Sequence, residues 1–344
     1  MKVYLLNAEL PLLTASRMRC FRACPRLHQL RYVEGWRPAV EAEALRVGTL
    51  VHAGLEAWWR GWMPPEAGCP GYDVDPLDLA LGAVAGRAID PYEQVRVEEL
   101  LLGYDLCWRE DAALYEVIAV EAEYRCPQLN PATFARSRTW ELGGKIDAIA
   151  RRREDGRVLV VEHKTTSEAI SSDADHYWQK LALDGQISGY VLGAESLGHQ
   201  VDEVLYDVIR KPQQRPLRAT PFESRKYTKD GKLYSAQREN DETPEEYRAR
   251  IRALIAEAPF DFFQRRAIPR TESQIRDYMQ DAWQQGRAMR DMELDGHAPR
   301  NPDACHGYGT CSFWLVCSTG SHPSRFPAEY RRSDDMNPEL DGGK

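Results

Sequence analysis

Residues 143–166 read GGKIDAIARRREDGRVLVVEHKTT. Two apolar runs, ELGGKIDAIA (141–150) and RVLVVEHKTT (157–166), flank the polar turn RRREDG, which is the pattern of a β-hairpin. Alternate side chains of a strand share a face, so Glu162 and Lys164 project together while His163 points away. Asp147 lies on the preceding strand, close enough across the ladder to meet Glu162. The run VLVV before Glu162 predicts a strand buried on both faces, where a charged side chain is costly unless it is employed.

Two carboxylates and an ammonium converging at one end of a sheet suit phosphodiester hydrolysis. Hard oxygen ligands hold Mg²⁺ or Mn²⁺ and leave positions for water and phosphate. The ion activates water and neutralises charge on the phosphorane, and a lysine can orient the nucleophile or stabilise the transition state.

Working outward, helices are expected at 14–37, where Arg17, Arg19, Arg22, Arg26, Arg31 and Arg37 cluster, and at 40–62. A Gly/Pro-rich loop follows at 64–76, then a helical stretch at 77–115. VIAVEAEYR (117–125) and VDEVLYDVIR (201–210) read as strands, and 177–197, 244–263 and 271–293 as helices. Residues 211–245 form a proline-rich arm carrying Lys211, Arg215, Arg218, Arg225, Lys226, Lys229 and Lys232. The tail after Ser318 is polar and expected to be poorly ordered. Helices packed on a mixed sheet make the class α/β.

A chain of 344 residues with 43% hydrophobic content can build a large core. Its net charge of −8 excludes an overall basic nucleic-acid binder, so any DNA contact falls to local patches such as the arm and the arginine-rich helix. No apolar run approaches the roughly 18 residues of a membrane span. The opening MKVYLLNAELPLLTASRMRC is interrupted by Glu9 and Pro11 and has no cleavage signature, so the expected location is cytoplasmic.

Thiols stay reduced in that compartment. Of the eight cysteines, Cys69, Cys107 and Cys126 stand alone and are expected to be buried apolar residues. The others gather near the two ends: Cys20 and Cys24, then Cys305, Cys311 and Cys317 within CHGYGTCSFWLVC. Such a set points to metal ligation, and the spacing alone suits either zinc or an iron–sulfur cluster.

The pattern D-x14-E-x-K after Gly-Gly-Lys-Ile resembles the PD-(D/E)XK nuclease superfamily, and specifically its RecB-like branch. GTLVHAGLE (48–56) resembles the branch's helix with a histidine metal ligand and points to His52. QISGY (186–190) resembles its Q-x-x-x-Y motif, giving Gln186 and Tyr190, and AVEAEY (119–124) resembles its first strand, giving Glu121. His52 and Glu56 share a helical face, as do Gln186 and Tyr190.

The resemblance covers residues 14–318. It implies a restriction-endonuclease-like mixed central sheet flanked by helices, with helical additions. A nuclease domain over 1–318 would contain a helical insertion at 64–115, the basic arm at 211–245 and a cysteine segment at 300–318, ahead of the tail at 319–344. The implied activity is a Mg²⁺- or Mn²⁺-dependent DNA nuclease, an exonuclease of end processing, recombination or repair. Asp147, Glu162 and His52 would bind metal; Lys164, Gln186 and Tyr190 would complete catalysis. Relatives of AddB type, CRISPR-adaptation type and phage type set its context.

Some of these relatives hold a [4Fe–4S] cluster with one distant N-terminal cysteine and three near the C-terminus. Cys24, followed by Pro25, matches their C-P element, so Cys24, Cys305, Cys311 and Cys317 are the implied ligands. The spacing here is C-x5-C-x5-C, where many relatives show C-x2-C-x5-C, which leaves Cys20, His306 and a structural Zn²⁺ as alternatives. Implied partners are single-stranded or duplex DNA ends, with a helicase or single-strand annealing protein as companion; G-x-x-x-x-G-K-[ST] is absent from the chain. Trp58, Trp59 and Trp178 could stack bases but suit the core better. A non-catalytic iron–sulfur DNA-binding protein and an RNase on the same core are the rival readings.

Overall fold

The computed structural model describes residues 10–40, 42–64, 74–173, 175–307, 309–337 and 340. Cys69 and most of the Gly/Pro-rich loop lie outside the described residues.

The chain enters through β1 (Leu12–Leu13) and α1 (Ala15–Ala23), whose first turn is capped by the Thr14 hydroxyl accepting the Arg17 N–H. The single helix expected over 14–37 is broken at Cys24, because a residue before proline is pushed out of the helical region; its φ is −162° and ψ 114°. A short α2 (Pro25–His28) and a π-turn at Gln29–Val33 follow, and then β2 (Trp36–Pro38). The amphipathic helix α3 (Glu43–Arg60) comes next. The stretch expected to be helical at 77–115 is two helices, α4 (Pro76–Val84) and α5 (Pro91–Ala112). Asp75 and Asp90 cap them, each with proline in the first turn, where its missing N–H costs nothing.

β3 (Tyr115–Leu129) and β4 (Arg136–Arg152) form a long antiparallel pair, and β5 (Val158–Thr166) turns back from β4 as the hairpin pattern predicts. α6 (His176–Ala182) and α7 (Gly185–Ser196) lead to β6 (Glu203–Arg210), which pairs parallel to β5. After the arm come α8 (Pro244–Glu257), β7 (Phe263–Ile268), α9 (Glu272–Asp295) and α10 (Trp314–Thr319). β7 was not expected. It pairs antiparallel with β6 and its middle reads Gln264-Arg265-Arg266, which hides it from a hydrophobicity pattern.

The result is a six-stranded mixed sheet. β3 covers one side of β4. On the other side β4 meets two partners: parallel β1 at Glu141 and Leu142, then antiparallel β5 at 148–151. Beyond Val161, β5 leaves β4 and stays paired with β6 alone. The two strands therefore fork just past Asp147 and Glu162.

Apolar side chains of α3, α4, α5 and α8 pack on one face of the sheet, and those of α1, α6, α7 and α9 on the other. Close approach of α7 depends on glycine: a Cβ at Gly193 would meet the Tyr124 ring at 2.5 Å. A third, small core joins the chain ends, with Leu30, Phe313, Val316 and Tyr330. There β8 (Tyr330–Arg332) pairs antiparallel with β2, so part of the tail expected to be poorly ordered is tied down. Among the described residues no helix is long and apolar enough to cross a membrane.

Candidate active site and cysteine cavity

At the fork, β4 stays paired with β3 but no longer with β5, and the Asp147 side chain bridges to β5 instead: Oδ2 accepts the His163 backbone N–H at 2.7 Å. Glu162 is only 2% exposed and pairs with Lys164 through Oε1. Its other oxygen, Oε2, is buried and has no hydrogen-bond partner. Lys164 Nζ also donates to Gln186 Oε1 at 2.7 Å, and Gln186 Nε2 donates to the Tyr190 hydroxyl at 2.7 Å. Asp147, Glu162, Lys164, Gln186 and Tyr190 thus share one locale, assembled from β4, β5 and α7.

The electrostatics follow from burial. Asp147 is lifted to about 7, first by desolvation and then by the neighbouring Glu121 carboxylate. Glu162 is likewise lifted to about 7 by burial, against the pull of Lys164. His52 on α3 is held down to about 3 by burial and by the nearby charges of His163, Lys164, Lys145 and Lys211. Its imidazole is therefore neutral at physiological pH, the form that binds metal. Glu56, one turn along, is engaged by Arg60 at 2.9 Å.

These donors have the chemistry for a divalent ion: two carboxylates, one with an orphaned buried oxygen, and a neutral imidazole. Among the described residues no three such side chains are drawn as close together as a single bound ion would draw them.

Glu121, to which the AVEAEY resemblance points, stands across β3–β4 from Asp147, between the pairs Val120↔Ala148 and Ala122↔Ile146, with a left-handed φ of 55° and an ion pair to Lys145. The residues that back the site had no sequence signal. Behind the site, His163 stacks edge-on to His52 with ring centroids 6.2 Å apart, and its Nδ1 lies 3.3 Å from Asp207 Oδ2. Asp207 is completely buried and also meets Tyr104 and Arg265, the latter at 3.2 Å. Burial alone would raise its carboxyl, but Arg265 and the contacts with His163 and Tyr104 hold it down to about 2. This hub joins α5, β5, β6 and β7 behind His52.

Cys24, Cys305, Cys311 and Cys317 line one largely apolar cavity of about 240 Å³. The Asn301 N–H reaches Cys24 Sγ at 3.4 Å, and its side chain donates to the Ala23 carbonyl at 2.8 Å. Cys20 is buried on α1 away from the cavity, and His306 is exposed outside its wall. Cys126 is buried and Cys107 half-buried.

In the arginine-rich N-terminal region, three of the arginines are engaged within the fold, while Arg19 and Arg22 are exposed. Arg17 is 5% exposed, lies 4.6 Å over the Trp140 ring and donates to His28 at 3.2 Å. Arg26 pairs with Glu34, and Arg37 binds backbone carbonyls. Exposed Arg19 points toward the site, donating to Gln186 Oε1 at 3.2 Å. Trp58, Trp59 and Trp178 are all core residues.

No curated protein matches the chain. A crystal structure of a candidate exonuclease from Eubacterium rectale is similar to it with a TM-score of 0.43 and 9% identity, over 90% of this chain and 94% of that one. The PD-(D/E)XK nuclease superfamily profile matches residues 12–318, a span that holds the strand fork, Asp147, Glu162, Lys164 and all four cavity cysteines. The chain belongs to the PD-(D/E)XK nuclease superfamily.

Proposed function

We propose that the protein is a Mg²⁺- or Mn²⁺-dependent DNA nuclease of the RecB-like branch, acting as an exonuclease on DNA ends. The observation that carries this reading is the fork itself, where Asp147, Glu162 and Lys164 gather and one buried Glu162 oxygen is left without a partner. Asp147, Glu162 and His52 would hold the metal, which when bound supplies Lewis acidity to phosphate and water. Lys164, half-buried beside Glu162, would bring positive charge to the position where the phosphoryl oxygens gain negative charge. Gln186 fixes the Lys164 ammonium, and Tyr190 fixes Gln186. Arg19 adds a second cation to the same amide oxygen from the exposed side.

The four thiols around one apolar cavity support a [4Fe–4S] cluster, a soft-ligand site fitting thiolate donors. Such a cluster would join Cys24 to Cys305, 281 positions further along the chain.

End-labelled single- and double-stranded DNA, digested with Mg²⁺ or Mn²⁺ beside an RNA control, tests the activity. Shortening from one end is the expected result. Preferential RNA cleavage, or no cleavage by protein with its metals restored, would overturn the assignment.

A further inference from the structure

The arm at 211–243 carries eight cations against five carboxylates, in a chain whose net charge is −8. It is a built structure. Thr220 N–H donates to the Arg238 carbonyl at 2.9 Å and Thr228 N–H to the Lys232 carbonyl at 2.7 Å, with Tyr227 bridged to Leu233 between them. Glu242 clamps its base, accepting the Leu217 N–H at 2.8 Å and two Arg250 N–H groups at 2.7 Å.

This ordered projection holds its aromatic rings outward. Phe222 is 79% exposed, Tyr227 50% and Tyr234 49%. Three of the arm's carboxylates, Glu239, Asp241 and Glu242, are engaged by arginines. Lys226, Lys229 and Lys232 are exposed and make no ion pair among the described residues.

The base of the arm walls a cleft of about 630 Å³ with Arg96, Lys211, Arg215, Arg218 and Ser167 among its lining. Ser167 directly follows β5, and the Lys211 N–H donates to the carbonyl of Thr166, the last residue of β5, at 2.7 Å. Lys211 is also near enough for His52 to feel its charge. The cleft at the arm's base, whose lining also includes Glu43 and Asp90, thus reaches the end of β5 beside the fork.

Exposed rings interleaved with lysines are suited to unpaired nucleotides, whose base faces are open for stacking and whose phosphates the ammonium groups neutralise. A duplex buries those faces against one another. We infer that the arm and the cleft at its base grip a DNA single strand and deliver it to the fork. The choice of DNA rests on the nuclease reading above; the preference for a single strand rests on the exposed rings.

Anisotropy of fluorescein-labelled oligo(dT) in EDTA, with the full chain, reads the grip without turnover. Replacing both tyrosines (Tyr227→Ala with Tyr234→Ala) should weaken oligo(dT) binding by about tenfold or more, and binding of a blunt DNA hairpin by much less. Replacing the three lysines with alanine should flatten the logarithmic salt dependence for oligo(dT) by about two units. Far-UV circular dichroism and the thermal transition should match the unaltered protein, since the exchanged side chains are exposed. Unchanged oligo(dT) affinity in both variants would overturn the inference. So would equal weakening on hairpin and oligo(dT), or tighter binding of oligo(U) than oligo(dT). Absence of DNA hydrolysis by the unaltered protein would count against the nuclease reading alone, because the anisotropy comparison needs no cleavage.

Discussion

The carboxylate of Asp147 accepts the backbone N–H of His163 at 2.7 Å, at the point where β4 and β5 cease to pair. A side chain thus substitutes for the carbonyl that a continued ladder would supply. The bond holds Asp147 in place and keeps the fork from closing into ordinary sheet. Asp147→Asn retains an acceptor and should fold normally; Asp147→Ala leaves the N–H unsatisfied and should cost about 1–3 kcal/mol more. Both should lose metal-dependent cleavage of end-labelled DNA. Denaturant unfolding separates the two effects, and robust cleavage by Asp147→Asn would remove the residue from the site.

Lys164→Ala should reduce the cleavage rate by roughly 10²–10³-fold, the scale of one electrostatic stabiliser in a closed site. DNA affinity measured in EDTA should change little, because the ammonium is engaged by Glu162 and Gln186. A fall in affinity matching the fall in rate would make Lys164 a binding contact instead.

Metal binding and folding should respond to pH in opposite directions. With Asp147 and Glu162 both raised to about 7, the metal-free folded state keeps protons that the unfolded chain has released. Their stabilising contribution is complete below the ordinary carboxyl range and disappears as pH rises through about 7. Metal requires the ionised forms, so its affinity should climb over the same window and binding should release protons. Calorimetry in buffers of different ionisation enthalpy measures the release. Glu162→Gln should flatten the pH dependence of metal-free stability, and an unaltered profile would refute the shift.

His52→Ala should shift the metal titration of activity to higher concentration, since a neutral nitrogen ligand is lost while the carboxylates remain. Asp207→Ala acts one step behind, through His163, and should also destabilise the fold by about 3–5 kcal/mol by leaving Arg265 buried without its carboxylate. Identical metal titrations for His52→Ala and the parent would make His52 a packing residue.

Anaerobically purified protein should be brown, and Cys24→Ser, Cys305→Ser, Cys311→Ser or Cys317→Ser should each bleach it and lower Tm. Cys20→Ser should stay coloured, because Cys20 is buried away from the cavity. Colourless protein with stoichiometric zinc would replace the cluster by a zinc site and leave the nuclease assignment untouched.

The sequence carried the hairpin, its face alternation and the helix bearing His52, because each is a local pattern. The breaks at Cys24 and Asp90 were also marked, by Pro25 and Pro91, but apolar and basic content ran across them. β7 was hidden because its central Arg265 is buried only by virtue of Asp207, Tyr104 and Trp108, which come from distant parts of the chain. No spacing announces such a hub. Glu121 could be suspected from its strand, yet its left-handed backbone and its place opposite Asp147 require coordinates. The four cysteines could be grouped by chemistry, whereas the place of Cys24 rather than Cys20 in the cavity wall follows from the extended backbone that Cys24 adopts ahead of Pro25, where α1 ends.

The clasp of β2 with β8, beside the cysteine cavity, sets an order of events during synthesis. Asp147, Glu162 and Lys164 leave the ribosome well before residues 299–332, so the hairpin and much of the sheet can form while the N-terminal segment still lacks its partner. Contacts of such separation form late, after the entropy of a very long loop has been overcome. A stalled or truncated chain would carry Asp147, Glu162 and Lys164 on their strands but leave α2, the π-turn and β2 without their cover.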